Sequence, residues 1–419
     1  MAETPDTAAL RRDQDLGLRA RALRVIPGGM YGHLHARFLS PEFPQFMAAG
    51  RGARIWDADG NEFVDLMCGW GPVLLGHRHP RVEEAVARQM ARGDCLNGPP
   101  AVMVDLAERM IETVRHADWA MFMKNGTDAT TSSLTIARAT TGRRKILVAK
   151  RAYHGSAPWC TPGPLGTTAE DRAHLISYEY NDLESVRAAV AEAGDDLAGI
   201  LVSPARLDAG FDSELPSPDF ARGLRELCDR AGAVLIMDEV RCGLRLNLGG
   251  SWESLAVNPD LSCWSKALGN GYAIAAVLGS DALRDAAGGI FVTGSFWFSA
   301  VAMTAALATL DALERENGSE KMAATGAELW AGWEEQATAA GVKVRITGPA
   351  EMPYMSFAGD REHQLAEAFS DECLRNGAYL HPRHNWFLST ALGESEKNVV
   401  LQATDRGFEA VQERLALMG

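Results

Sequence analysis

The chain lacks the usual signatures of several large function classes. Its seven cysteines (Cys68, Cys95, Cys160, Cys228, Cys242, Cys263 and Cys373) are scattered singly, with no Cys-x-x-Cys pair. That pattern excludes a zinc ribbon or a dithiol redox motif and reads as buried thiols under reducing conditions. The pairs His33/His35 and His77/His79 have no carboxylates beside them at ligand spacing, so no metal site is expected. Positive charge is scarce: 41 basic against 55 acidic residues give a net charge of −14. Contact with nucleic acid or an anionic membrane needs clustered positive potential, and neither partner is expected. No run of about 18 apolar residues occurs, and no membrane span is expected. The opening residues Met1 to Asp6 are polar and acidic, without the apolar stretch of a secretory leader, so a cytoplasmic location is expected. There is no Walker loop and no G-x-G-x-x-G after a strand, so nucleotide binding is not implied.

What is present is an ordinary globular composition, 47% hydrophobic and 23% charged, on 419 residues, long enough for two domains. Helical spacing runs from about Asp15 to Val25 and stops at Pro27-Gly28-Gly29, and Asp59-Gly60 separates two short alternating strands. Pro80 opens a helix through Gln89, and another runs from about Val102 to Val114. Strand and helix then alternate: strands at 119–123, 145–148, 200–202 and 233–237, helices at 125–140, 183–193 and 220–231. Short, fully apolar strands interleaved with helices predict an α/β fold with a mostly parallel sheet covered on both faces. Two long helices, about 300–315 and 319–339, lead to a smaller α+β unit with strands at 342–346 and 353–357 and helices at 362–375 and 405–417. The expected division is an N-terminal segment 1–65 packing with the small domain, a large domain 66–316 and a C-terminal small domain 317–419. No repeats or low-complexity linker separate them.

Four separated features carry chemistry. Lys124-Asn125-Gly126-Thr127-Asp128 joins a strand to a helix, either as an ordinary cap or as an anion site built from free amides and the helix dipole. Tyr153-His154-Gly155 follows a strand and offers a ring for stacking or a rim residue. Asp238, in Met237-Asp238-Glu239-Val240, ends a buried apolar strand, where a carboxylate is costly without a cationic partner. Lys266 follows the strand Leu261-Ser262-Cys263-Trp264 and precedes the turn Gly269-Asn270-Gly271; taken alone it is either a solvated loop lysine or a poised amine. Together they form a site at the C-terminal ends of parallel strands, where α/β folds bind ligands. A phosphate cradle, a stacking aromatic, an acid for a ring nitrogen and a lysine amine are the parts that hold pyridoxal 5′-phosphate.

On these residues the chain resembles the class III aminotransferases of the fold-type I pyridoxal-phosphate family. The resemblance spans nearly the whole sequence and is strongest to the glutamate-1-semialdehyde aminomutase branch, through Trp70-Gly71-Pro72, Asn125-Gly126-Thr127-Asp128, Tyr153-His154-Gly155, Asp238-Glu239-Val240 and Ser265-Lys266. The segments 27–33, 117–122, 291–300 and 381–389 are similar to the subgroup typified by the bacterial fumonisin B1 aminotransferases, which move an amine from a long amino-polyol to pyruvate. The resemblance implies that Lys266 carries the cofactor and moves the proton at the substrate carbon. It implies that Asp238 protonates the ring nitrogen, that Val240 and Tyr153 pack on the two ring faces, and that Gly126 and Thr127 bind phosphate. Ser295 of a neighbouring copy completes the phosphate site, so a homodimer is implied.

Departures from that branch narrow the function. Ser203-Pro204-Ala205-Arg206 stands where many members have Glu-Pro-Val, the segment after Gly155 is shorter than the aminomutase gating loop, and the acidic residue expected near His381-Pro382-Arg383-His384 is missing. Aromatics are prominent instead: Trp70, Trp159, Phe296, Trp297, Phe298 and Trp386. Large aromatics are usually core, and those that are not would line a long apolar pocket. Trp70 and Trp297 are the substrate-wall candidates. For an acceptor carboxylate, Arg206 comes first and Arg383 second. The expected activity is transfer of an amino group from a bulky or long-chain primary amine to pyruvate, giving a ketone and L-alanine. The alternatives are a 2,1-aminomutase and a catalytically silent cofactor-fold binding protein.

Overall fold

The structure, a computed structural model, describes residues 10–418; the polar opening at residues 1–9 lies outside them. Thirteen strands are present among the described residues: β1 Met47–Arg51, β2 Arg54–Asp57, β3 Glu62–Asp65, β4 Trp119–Met123, β5 Lys145–Ala149, β6 Leu175–Tyr178, β7 Leu197–Val202, β8 Val234–Asp238, β9 Leu261–Trp264, β10 Ala275–Gly279, β11 Val344–Thr347, β12 Tyr354–Phe357 and β13 Ala378–Tyr379. Seven of them form the central sheet, in the order β4-β10-β9-β8-β7-β5-β6. From β9 to β6 every pair is parallel, and β10 runs antiparallel to both β9 and β4.

Strand alternation explains why this sheet is buried on both sides. Ile200, Val202, Leu235 and Met237 point into one apolar cluster with Phe220 and Leu224 of helix Pro218–Ala231 and Val186 of helix Leu183–Ala193. Their neighbours Leu201 and Ile236 point the other way, onto Ala129, Leu134 and Ile136 of helix Gly126–Thr141. With period-2 side chains and helices on both faces, every position of the central strands β7, β8, β9 and β10 is buried, hence their unbroken apolar runs. The helices are signposted locally. Asn125 and Asp128 form a reciprocal capping box, Ser217 caps a helix opened by Pro218, and Gly142 and Gly232 close two helices in the left-handed conformation.

The hairpin β1-β2-β3 extends through a parallel β3-β13 pair, so the N-terminal segment and the C-terminal region share one four-stranded sheet. Several elements differ from expectation, strands β6 and β13 among them. The last helix begins at Glu394 instead of near Asp405 and runs to Met418, because the polar first turn Glu394-Ser395-Glu396-Lys397 hides its continuity with Val399, Val400 and Leu401. Strand β10 is short and Ala/Gly-rich, with little β-propensity of its own, and is held by two neighbours. Strand β1 is largely exposed and carries no alternating pattern.

Candidate active site

The C-terminal ends of β4, β5, β7, β8 and β9 open into one cavity of about 650 Å³. Lys266 lies in its wall, one residue beyond Ser265 and two beyond the end of β9. Its φ of +39° places a non-glycine residue in the left-handed region, a strained setting of the kind that collects at functional sites. The turn that imposes it is pinned by the buried side chain of Asn270. This amide accepts from the Leu74 and Leu75 N–H groups at 2.9 and 2.8 Å and donates to the Gly76 carbonyl at 3.0 Å. Burial first, and the guanidinium charges of Arg241 and Arg245 next, push the Lys266 ammonium down to about 7, with Asp238 acting in the opposite sense. A large neutral fraction at ordinary pH is what a lysine nucleophile and base requires.

Asp238 closes β8 and is buried. Its Oδ1 accepts the Val240 N–H at 3.1 Å, and its Oδ2 lies 2.6 Å from His154 Nδ1. An ionised carboxylate only accepts, so Nδ1 donates, and Nε2 is left buried with no partner among the described residues. Sequence reasoning placed His154 inside a motif without giving it a role. Nothing in its spacing shows that residue 154 meets residue 238.

The candidate phosphate cradle lies at the start of helix Gly126–Thr141. The Asn125 side chain accepts the Asp128 N–H, and the Gly126 and Thr127 amides of the first turn donate to nothing in the described chain while both residues line the cavity. Two glycines make room for this. A Cβ on Gly126 would lie 2.8 Å from Val240 Cγ1, and one on Gly155 (φ +130°) would lie 2.4 Å from Thr127 Oγ1. Thr127 Oγ1 also accepts the Ser156 N–H at 3.2 Å, and Tyr153 and Val240 both line the cavity.

The other candidates are placed as follows. Arg206 reaches the cavity wall, but its Nη1 is 2.8 Å from Glu214 Oε2 and its Nε is 3.6 Å from Asp208 Oδ2. Arg383 is paired with Glu367 and is not part of the wall. Trp70 sits edge-on to three imidazoles, His33, His381 and His384, at 4.8 to 5.1 Å between centroids. Burial, most strongly, lowers the pKa of all three, His381 to about 4. Trp297 packs against the helix side of the central sheet, and Ser295 is exposed. Neither lines the cavity of this chain. Trp386 is core, against Trp333, and Phe296 is exposed beneath the Lys124 ammonium, 5.9 Å from its ring centroid. Among the described residues no group of three or more His, Cys, Asp or Glu is placed to hold a metal, and no helix is long and apolar enough to cross a membrane.

A family model for class-III aminotransferases matches residues 39–391. The chain belongs to the class-III aminotransferases. It is 49% identical over 394 residues to an aminopentol aminotransferase from Sphingopyxis macrogoltabida, covering 94% of this chain and 93% of that one. The solved structure of the Sphingopyxis sp. MTA144 FumI protein in its PLP internal aldimine form superposes with a TM-score of 0.95 at 49% identity, over 96% of this chain and 97% of that one. A glutamate-1-semialdehyde 2,1-aminomutase from Syntrophobacter fumaroxidans is more distant, at 33% identity over 434 residues, 97% of this chain and all of the other. The fold is that of the fold-type I enzymes, and the protein is a transaminase.

The residues present fit pyridoxal phosphate. A buried acid at the strand end, a lysine with a depressed pKa and an open helix N-terminus surround one cavity, and the two glycines leave space that a side chain would fill.

Proposed function

We propose that the chain is a pyridoxal-phosphate-dependent aminotransferase that moves the amino group of a long-chain or bulky primary amine, of amino-polyol type, to pyruvate, releasing a ketone and L-alanine. The observation that carries this reading is the convergence of Lys266, the buried Asp238–His154 pair and the unpartnered Gly126 and Thr127 amides on one cavity. The named aminopentol relative, similar over nearly the full length of both chains, supports the amine class.

Bound pyridoxal phosphate supplies a ring that takes up the electron pair released when the substrate carbon loses its proton. Gly126 and Thr127 would hold its phosphate, with Ser295 of a second copy completing the cradle in a homodimer; the exposure of Ser295 and its position away from this chain's own cavity support that arrangement. Asp238 would hold a proton at the ring nitrogen. His154 donates to Oδ2 of that carboxylate and fixes its orientation. Val240 and Tyr153, both on the cavity wall, would confine the ring from its two sides. Lys266 Nζ, its pKa lowered to about 7, would hold and move the proton taken from the substrate carbon. Neither Trp70 nor Trp297 lines this chain's own cavity, so neither is assigned to the wall that receives the long substrate.

An aminomutase needs no separate acceptor. A screen of amine donors with pyruvate, read as alanine formed, tests the assignment. Alanine production with long-chain amines supports it, and isomerisation of an amino-aldehyde without any keto acid contradicts it.

A further inference from the structure

The cavity holds a second guanidinium that neither the cofactor nor the proton transfer uses. Arg241 follows Val240 directly and lines the same wall as Lys266. Burial and partial occlusion set it apart from a surface arginine, since loss of hydration lowers its pKa before any neighbouring charge acts. Its Nη1 donates to the Leu207 carbonyl and lies 3.4 Å from Asn385 Oδ1, which suspends the group between the loop after β7 and the segment 381–387. Among the described residues no carboxylate comes within 4.0 Å of it. Asp208, its nearest acidic neighbour in that loop, is 3.6 Å from both Arg151 and Arg206, and Asp238 is committed to His154 and Val240.

A guanidinium removed from water without a counter-charge is costly, and a planar fork beside a reactive amine matches a carboxylate in two parallel hydrogen bonds. The proximity to the reacting centre is electrostatically evident, because Arg241 is the largest charge depressing Lys266. Arg206, the other arginine on the wall, already has its charge opposed by Glu214 and Asp208. We propose that Arg241 is the anchor for the carboxylate of the α-keto acid acceptor, and through it the residue that distinguishes a keto acid from a neutral ketone or aldehyde in the second half of the reaction.

This inference rests on the aminotransferase reading, and the test separates the two. Holoenzyme mixed with the amine donor and no acceptor must release ketone; absence of that release in the wild type overturns the parent reading and with it this one. The amine-loaded wild type and Arg241→Gln are then given pyruvate or acetaldehyde, which differ by the carboxylate, and kcat/KM is measured for each. The expected result is a fall of about 10- to 100-fold in the pyruvate-to-acetaldehyde ratio, the scale of a lost charge-assisted pair, carried mainly by KM for pyruvate. Taking the ratio cancels any effect of Arg241 on Lys266. Arg241→Lys, which keeps the charge and loses the fork, is expected to give an intermediate ratio and carries the test where the glutamine variant does not fold. Propionate, a carboxylate that cannot react, is expected to bind wild-type holoenzyme at least about tenfold more tightly than the variant by calorimetry. An unchanged ratio with unchanged propionate binding overturns the assignment of Arg241 alone.

Discussion

His154 Nδ1 donates to Asp238 Oδ2 across 2.6 Å in the interior, although the two residues are 84 positions apart in the chain. The pair links the loop after β5 to the end of β8, and it makes the orientation of the carboxylate a property of the fold and not of the bound ring. His154→Leu is expected to lower kcat by about 10- to 100-fold, on the scale of losing a residue that orients a catalytic ligand, and to weaken cofactor retention. His154→Asn keeps an N–H near the Nδ1 position and is expected to recover much of both. Steady-state rates and a pyridoxal-phosphate titration of the apoenzyme, followed by absorbance, check this; equal losses in both variants would contradict the orienting role.

Removal of the amine is a harsher change. Lys266→Ala is expected to leave the thermal unfolding transition near its wild-type position while turnover falls by at least about a thousandfold, since nucleophile and proton carrier are the same atom. Undiminished turnover would take Lys266 out of the mechanism.

The pKa of Lys266, near 7 in the ligand-free chain against 10.5 for an ordinary lysine, has a direct pH signature. The rate at which apoenzyme captures pyridoxal phosphate is expected to rise through about pH 7 and level off above it, as the amine becomes neutral. The stability linkage has a definite sign. Between about 7 and 10.5 the unfolded chain binds the extra proton and the folded chain does not, so this residue makes apoenzyme stability rise with pH across that window. Its destabilising effect is full below 7. Denaturant unfolding of wild type and Lys266→Met at pH 7 and pH 9.5 should show a smaller gain with pH in the variant; an identical gain would show that Lys266 titrates normally.

Close approach of backbone at the phosphate cradle makes Gly155 sensitive. At φ +130° an alanine is strained, and its Cβ would press on Thr127 Oγ1. Gly155→Ala is expected to cost about 1 to 3 kcal/mol of stability and to loosen cofactor binding. Chemical denaturation with and without the cofactor measures both, and wild-type values for each would refute the packing account.

The fold was legible because its strands are apolar on both faces and its helices carry caps at Asn125, Ser217, Gly142 and Gly232. Strand β10 was hidden because Ala275-Ala276 has no local preference for a strand; its neighbours supply the hydrogen bonds. Lys266, Asp238, Gly126, Thr127, Tyr153 and Val240 could be picked out because each ends or follows a strand of a parallel sheet, and the structure brings all six to one cavity. His154 and Arg241 were invisible in their roles. Each sits beside a conspicuous neighbour, and its meaning depends on what lies opposite in space: a carboxylate for the first, and no carboxylate for the second. The grouping of three histidines around Trp70 also follows from a contact between the N-terminal loop and the 381–384 segment that no spacing announces.

The most direct test is a single turnover in two stages. Holoenzyme is mixed with excess long-chain amino-polyol and no keto acid, ketone is counted per active site, unreacted amine is removed by gel filtration, and pyruvate is then added and alanine counted. Close to one ketone per site is expected before pyruvate and one alanine per site after it, with neither product formed by Lys266→Ala. Continuous conversion of the amine to an isomer in the first stage, or alanine without prior ketone, would contradict the aminotransferase reading.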